Sequence, residues 1–169
     1  MLQLSHASAA LMARALSRQT PQTFGSCFQH AVATALGRIE AYRGCYDNRG
    51  AGQPDIIAGR TGIEVKSSKG SQIQLQGNYA AIRQHYDRFR LIGLRTDLFV
   101  LWALVIPDDA PPSVTLGRTV SPDLASDEAL ETGLARELAW VLETTGTPWS
   151  DAQTPDAARD AIDRACAPG

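Results

Sequence analysis

The chain has 169 residues, enough for one domain with its own core, and its apolar fraction of 44% is ordinary for a globular protein. No apolar stretch approaches the ~20 residues that a membrane span needs, and the amphipathic residues 2–16 lack the charged start and unbroken apolar centre of a signal peptide. We therefore expect a cytoplasmic protein with no membrane partner. The three cysteines share no metal-ligand spacing, which argues against a zinc site or a disulfide framework.

The formal net charge of −2 conceals an uneven distribution along the chain. Residues 38–95 carry ten Lys and Arg against five Asp and Glu, whereas residues 96–169 carry four Arg against thirteen acids. A basic face built from the first of these segments would attract phosphate groups. The alternative is a composition bias that produces no field of consequence.

Two helices are predicted first, at residues 3–18 and 23–38, because apolar residues recur there at helical spacing. Residues 39–46 are ambiguous, although two tyrosines favour a strand. Residues 47–52 are a glycine-rich loop. Short strands at 55–58 and 63–67 are joined by a hairpin turn at 59–62, and residues 72–75 continue the sheet.

The second half of the chain is predicted to be mostly helical around one buried strand. A helix at 79–89 presents a basic outer face with Arg83, Arg88 and Arg90. The unbroken apolar run at 98–106 favours a central strand buried on both faces. An edge strand at 114–120 and helices at 124–143 and 155–166 follow.

The candidate catalytic and metal-binding residues are concentrated in residues 54–55 (PD) and 64–66 (EVK). The hairpin would place Asp55 beside Glu64, and strand alternation puts Lys66 on the same face as Glu64. Magnesium prefers oxygen ligands, and these two carboxylates with the main-chain carbonyl of Val65 would supply an open site. Lys66 would orient an attacking water, stabilise charge on phosphorus, or act as a base if burial lowers its pKa. The alternative is an exposed strand whose charged residues form an ordinary ion pair with no catalytic role.

A further metal ligand could come from the second helix. Gln29 and Glu40 are eleven residues apart, close to three helical turns, so they would share a face if the helix ran that far. Either residue is a candidate for this ligand.

The motif resembles the signature of the PD-(D/E)XK nuclease superfamily. Residues 25–29 (GSCFQ) resemble the G-x-x-x-E of the first helix in archaeal Holliday-junction resolvases, and residues 49–56 (RGAGQPDI) resemble their R-S-A-G…PDI segment. The resemblance covers about residues 23–106. It departs from the resolvase pattern at Gln29, where those proteins have glutamate, and at Gly50, where they have serine.

This resemblance implies an α/β fold with a restriction-endonuclease-like core, in which helices flank a mixed β-sheet. We predict one nuclease domain over residues 1–169, with the catalytic core at about 23–106 and a C-terminal helical extension at about 120–169 that is not part of the resolvase pattern. Asp55 and Glu64 would bind Mg²⁺, with Mn²⁺ as a substitute, and Lys66 would assist catalysis.

The predicted function is metal-dependent endonucleolytic cleavage of duplex DNA, of the type II restriction kind, by a homodimer. The alternatives are a resolvase-type enzyme acting on branched DNA and a non-catalytic DNA-binding module on a nuclease-like fold. Candidate DNA contacts are Arg49, Lys69, Gln72, Gln74 and Arg83. A solvated polar surface is the alternative interpretation of these residues.

Overall fold

The structure, a computed structural model, describes residues 1–18, 20–37, 39–47, 52–75, 79–106, 108, 113–115 and 128–144. The helices within these ranges are α1 (His6–Arg18), α2 (Pro21–Gly37), α3 (Tyr79–Arg83) and α4 (Glu128–Thr144), and a 3-10 turn covers Glu40–Tyr42. The strands are β1 (Leu2–Gln3), β2 (Tyr46–Asp47), β3 (Ile56–Ala58), β4 (Thr61–Ser68), β5 (Gln72–Gln74), β6 (Arg88–Arg95), β7 (Val100–Val105) and β8 (Ser113–Thr115).

Six of the strands form one mixed sheet in the order β1-β7-β6-β4-β3-β2, and β5 and β8 form a separate two-stranded antiparallel ribbon. β4 and β6 pair in parallel over their full eight-residue lengths, while the other neighbours in the sheet are antiparallel. The prediction of a mixed α/β fold is therefore confirmed, with the parallel pair at the centre of the sheet.

Different elements pack on the two faces of the sheet. Helices α1, α2 and α4 pack on one face, where Ile63 and Val65 of β4 join the main apolar core. The opposite face carries a second apolar cluster, in which Ile73 of β5 and Ile82 of α3 pack with Leu91 of β6. Because side chains alternate along a strand, Glu64 and Lys66 point to this second face.

Helix α2 follows from its sequence. Pro21 occupies the first helical position, where its missing N–H costs no hydrogen bond, and Gly37 is the last residue. Its apolar residues recur at helical spacing, so Phe24 and Phe28 stack with ring centroids 6.3 Å apart inside the core. α2 is thereby fixed against the sheet beside β4.

The predicted helix at 79–89 is wrong in its second half. α3 ends at Arg83, and residues from Arg88 onward form β6, which hydrogen-bonds to β4 on one side and β7 on the other. Arg88 and Arg90 therefore do not lie on a basic helix face, and Arg90 is only 4% exposed. Pairing with β4 along the whole strand and with β7 from Arg90 onward outweighs the local helical pattern, because these ladders satisfy backbone hydrogen-bonding groups.

Several other predicted helices and strands occur in the structure with different bounds or partners. Residues 2–3 form β1, so the first helix starts only at His6. The last described helix, α4, covers most of the predicted helix at 124–143, of which residues 124–127 lie outside the described residues. Residues 39–46 give a 3-10 turn before β2. β5 does not continue the main sheet but pairs with β8, the predicted edge strand. β7 is buried on both faces, as predicted, while the predicted helix at 155–166 lies outside the described residues.

Within the described ranges, none of the helices combines the length and the apolar character needed to cross a bilayer. Helix α4 belongs to the main core, since Leu130, Leu134 and Leu138 are buried in it. The part of the predicted C-terminal extension that the structure describes is therefore packed into the domain.

Candidate active site

The β3–β4 hairpin brings the predicted acids to one place. Ile56 pairs with Ile63 in this antiparallel ladder, so Asp55, which directly precedes β3, lies next to Glu64 in the continued register. Lys66 follows two residues later on the same face of β4.

The ammonium group of Lys66 contacts both carboxylates. Its Nζ lies 2.5 Å from Oε1 of Glu64 and 3.8 Å from Oδ2 of Asp55. The same Oδ2 accepts a hydrogen bond of 2.8 Å from the backbone N–H of Val65, which orients the Asp55 side chain toward β4. Lys66 thus contacts both of the other residues predicted to be catalytic, and the two carboxylates converge on its ammonium group.

The site is partly closed from solvent. Glu64 is only 6% exposed, and burial, followed by repulsion from Asp55, raises its pKa despite the opposing effect of Lys66. For Lys66, burial lowers the pKa, but the attraction of Asp55 and Glu64 outweighs it and the net pKa is raised. Lys66 is therefore an ammonium ion at neutral pH, which favours its predicted roles in orienting water or stabilising charge over the role of base.

A glycine beneath the site allows this close arrangement. Gly62 faces the same side of β4 as Glu64, and a Cβ atom there would lie 3.0 Å from the ring of Phe89 and 3.2 Å from Cγ of Pro54. Pro54 is buried and directly precedes Asp55. The absence of a side chain at Gly62 thus lets the segment that carries Asp55 pack directly on β4.

Gln29 of α2 reaches the site, whereas no contact among the described residues connects Glu40 to it. Nε2 of Gln29 donates a 3.3 Å hydrogen bond to the backbone carbonyl of Asp55. Two oxygen atoms would repel each other, so the amide nitrogen must face this carbonyl. Glu40 is exposed on the 3-10 turn, and the expected shared helix face does not form because α2 ends at Gly37.

The predicted DNA contacts fall in three settings. Lys69 is exposed in the turn after β4, and Gln72 and Gln74 are exposed on β5. Arg83 is largely buried, with its side chain 14% exposed, and its guanidinium is paired with Asp108. Arg49 lies outside the described residues.

A groove of about 430 Å³ opens where the parallel strands β4 and β6 end. Ser67, Ser68 and Lys69 line one side, and Thr96 lines the end of β6. Ligands of open α/β sheets commonly bind at the carboxyl ends of parallel strands. Leu16, Pro21 and Phe24 of the helical layer and the acid Asp97 complete its lining. The groove therefore lies on the helix-covered face of the sheet, opposite the face to which Glu64 and Lys66 point.

The donor set suits a hard divalent cation with an open coordination sphere. Asp55 and Glu64 converge on one cationic group, and Mg²⁺ in proteins is commonly held by one or two carboxylates while water fills other positions. No group of three or more His, Cys, Asp or Glu side chains suited to a metal occurs among the described residues. Any remaining ligands from this part of the chain would be main-chain or amide oxygens.

Comparison with known proteins gives no relative from which a function could be transferred. No family model matches the chain, and neither the curated proteins nor the solved structures contain a match.

Proposed function

We propose that this protein is a metal-dependent endonuclease that hydrolyses phosphodiester bonds in DNA. The observation that carries this proposal is the contact of the Lys66 ammonium with both Asp55 and Glu64. Two acids and a lysine that meet beside the paired strands β3 and β4 are the arrangement expected of the PD-(D/E)XK signature that the sequence resembles. The mixed sheet flanked by helices is compatible with the core of that superfamily.

In this proposal Asp55 and Glu64 would hold Mg²⁺, or Mn²⁺ as a substitute. A bound divalent ion polarises a phosphoryl oxygen and lowers the pKa of water. Lys66, as an ammonium ion, stabilises negative charge that develops on the phosphoryl oxygens and orients the attacking water. The reaction adds water across a P–O bond, leaving a phosphate on one DNA end and a hydroxyl on the other.

Gln29 acts on this site through the backbone. Its amide holds the Asp55 carbonyl, while the Val65 N–H holds the Asp55 carboxylate. These two hydrogen bonds restrict Asp55 from α2 and from β4. Gln29 is therefore a positioning residue in this proposal, and its amide oxygen is the group left to approach a metal.

The polar surface beyond Lys66 would bind the substrate. Lys69 is exposed beside the groove at the end of β4 and would contact a phosphate. Cleavage of both strands at a symmetric site needs two active sites, so the proposal includes a homodimer.

The test is cleavage of supercoiled plasmid and of a synthetic four-way junction, each with Mg²⁺, with Mn²⁺ or with EDTA. Asp55→Asn retains an oxygen that can accept the Val65 N–H but removes the negative charge, so we expect cleavage to fall by at least about 100-fold. Glu64→Gln and Lys66→Met are expected to have effects of similar size. Asp87→Asn is the matched control, because Asp87 is exposed and pairs with Arg60 away from the site.

Three outcomes separate the alternatives. Defined fragments from linear duplex support a restriction-type enzyme, whereas preferential cutting of the junction supports a resolvase-type enzyme. Tight DNA binding without cutting would support the non-catalytic module. Cleavage that persists in EDTA, or that Asp55→Asn leaves unchanged, would refute the proposed mechanism.

A further inference from the structure

The β5–β8 ribbon has one apolar and one polar face. Ile73, in the middle of β5, is 3% exposed and packs in the second core cluster. Its neighbours Gln72 and Gln74 alternate to the opposite face, where both are exposed. Gln74 pairs in register with the partly exposed Ser113 of β8. These three described residues form a polar outer face without formal charge.

We propose that this outer face reads base edges in the major groove of duplex DNA. The inference rests on the proposed function and specifies how that nuclease would select its substrate. Glutamine can donate to and accept from adenine through its N6 and N7 edge, and a serine hydroxyl can contact either type of edge. Uncharged amides suit this task because they distinguish donor and acceptor patterns, whereas phosphate contacts carry no direct sequence information.

The dimensions of the ribbon fit the groove. The major groove is roughly 12 Å wide and admits a two-stranded β-ribbon. Residues two apart on a strand are separated by about 6.8 Å, which equals about two base-pair steps at ~3.4 Å each. Gln72 and Gln74 are therefore spaced to contact bases two steps apart.

The ribbon is linked by a short turn to the end of β4, the strand that carries Glu64 and Lys66. Ser68, the last residue of β4, donates its hydroxyl hydrogen to the carbonyl of Gln72 at 2.9 Å and accepts the N–H of Gly70 at 3.2 Å. Lys69 lies exposed within this short turn, where it can contact a phosphate. The order along the chain is thus Lys66 at the site of cleavage, Lys69 on the backbone and Gln72 with Gln74 on the bases.

The experiment is selection of bound duplexes from a random-sequence pool, followed by sequencing, in EDTA and separately in Ca²⁺. The parent protein is expected to enrich a motif that contains adenine. Gln72→Ala/Gln74→Ala should lose preference at two positions, by roughly 5- to 150-fold at each. The control Gln22→Ala/Gln84→Ala changes two other exposed glutamines and should retain the motif.

Lys69→Gln gives a second control with a different signature. It should weaken binding to all sequences alike and reduce the slope of log affinity against log salt by about 1. The glutamine variants should leave this slope unchanged, since they remove no charge.

The inference is overturned if the parent enriches no motif, or if the glutamine variant enriches the same motif as the parent. It is also overturned if sedimentation shows that this variant changes the oligomeric state, which would make the face a contact between copies. A motif enriched without any plasmid cleavage would refute the proposed nuclease but not the reading ribbon. Metal-dependent cleavage without sequence preference would support the proposed nuclease and refute base reading by the ribbon.

Discussion

Replacing Gly62 with alanine tests how the fold positions Asp55. The new Cβ would lie 3.0 Å from two ring carbons of Phe89 and 3.2 Å from Pro54. Phe89 is 2% exposed and packs edge-to-face against Tyr86 at a centroid distance of 6.2 Å, so its ring has little room to move. Relief of the Phe89 contact therefore requires β4 to move toward Pro54, which would displace Pro54 and with it the adjacent Asp55.

Two opposing contributions determine how much Gly62→Ala changes the free energy of unfolding. Overpacking of a well-packed site costs about 1–3 kcal/mol, while removing a glycine from the unfolded chain stabilises by about 0.4–1 kcal/mol. The midpoints of these ranges give a net destabilisation of about 1.3 kcal/mol, which corresponds to a fall in Tm of roughly 3–5 °C for a chain of this size. Because a small misplacement of a catalytic group can cost about 100-fold in rate, cleavage should fall more steeply than stability.

Urea unfolding followed by circular dichroism gives the stability, and plasmid nicking gives the activity. Gly25→Ala is the matched control, since Gly25 lies inside α2 with no neighbour within 4 Å of an added Cβ. We expect this control to be stabilised by about 0.5–1 kcal/mol. In a Phe89→Leu background the cost of Gly62→Ala should shrink, with a coupling of about 0.5–3 kcal/mol. Equal stability of Gly62→Ala and the parent protein would refute the packing account.

Three further predictions concern other parts of the molecule. Gln29→Glu removes the N–H that donates to the Asp55 carbonyl, so nuclease activity should fall about 10- to 100-fold. Full activity with unchanged or tighter Mg²⁺ binding would instead identify position 29 as a metal ligand. Burial raises the pKa of Cys45 to about 12. In a variant whose other cysteines are serine, alkylation at pH 8 should therefore be about 50-fold slower than in urea, because the loss of thiolate is partly offset by its greater nucleophilicity. Equal rates would contradict this burial. Leu134→Ala should cost about 2–5 kcal/mol in urea unfolding because Leu134 is fully buried, whereas the exposed Leu98→Ala should change stability little; a small loss for Leu134→Ala would show that α4 is dispensable to the core.

Local pattern was sufficient for the hairpin and its three polar residues. Strand alternation and a short turn are determined by adjacent residues, so the contact of Asp55, Glu64 and Lys66 follows from the sequence of one segment. Helix α2 was also predictable, because its apolar spacing and its terminal glycine are local signals. These features required no knowledge of distant pairing.

Features that depend on distant parts of the chain were missed. β6 is a strand because it pairs with β4 and β7. Its first arginines had been assigned to the basic outer face of the predicted helix. The role of Gly62 depends on Phe89, which is distant in sequence. The apolar run at residues 91–94 was the available signal for β6, since such runs are typical of strands buried on both faces.

The arrangement of the proposed functions along one segment has a mechanical consequence. Lys66 lies on β4, which is held on both sides by β3 and β6, so the candidate active site is part of the most extensively paired region of the sheet. The ribbon is separated from it by only the turn that Ser68 closes. Because a strand extends about 3.3 Å per residue, the six residues from Lys66 to Gln72 span at most about 20 Å. A nuclease built in this way must cut within or close to the bases that it reads, since no flexible linker separates the two sites.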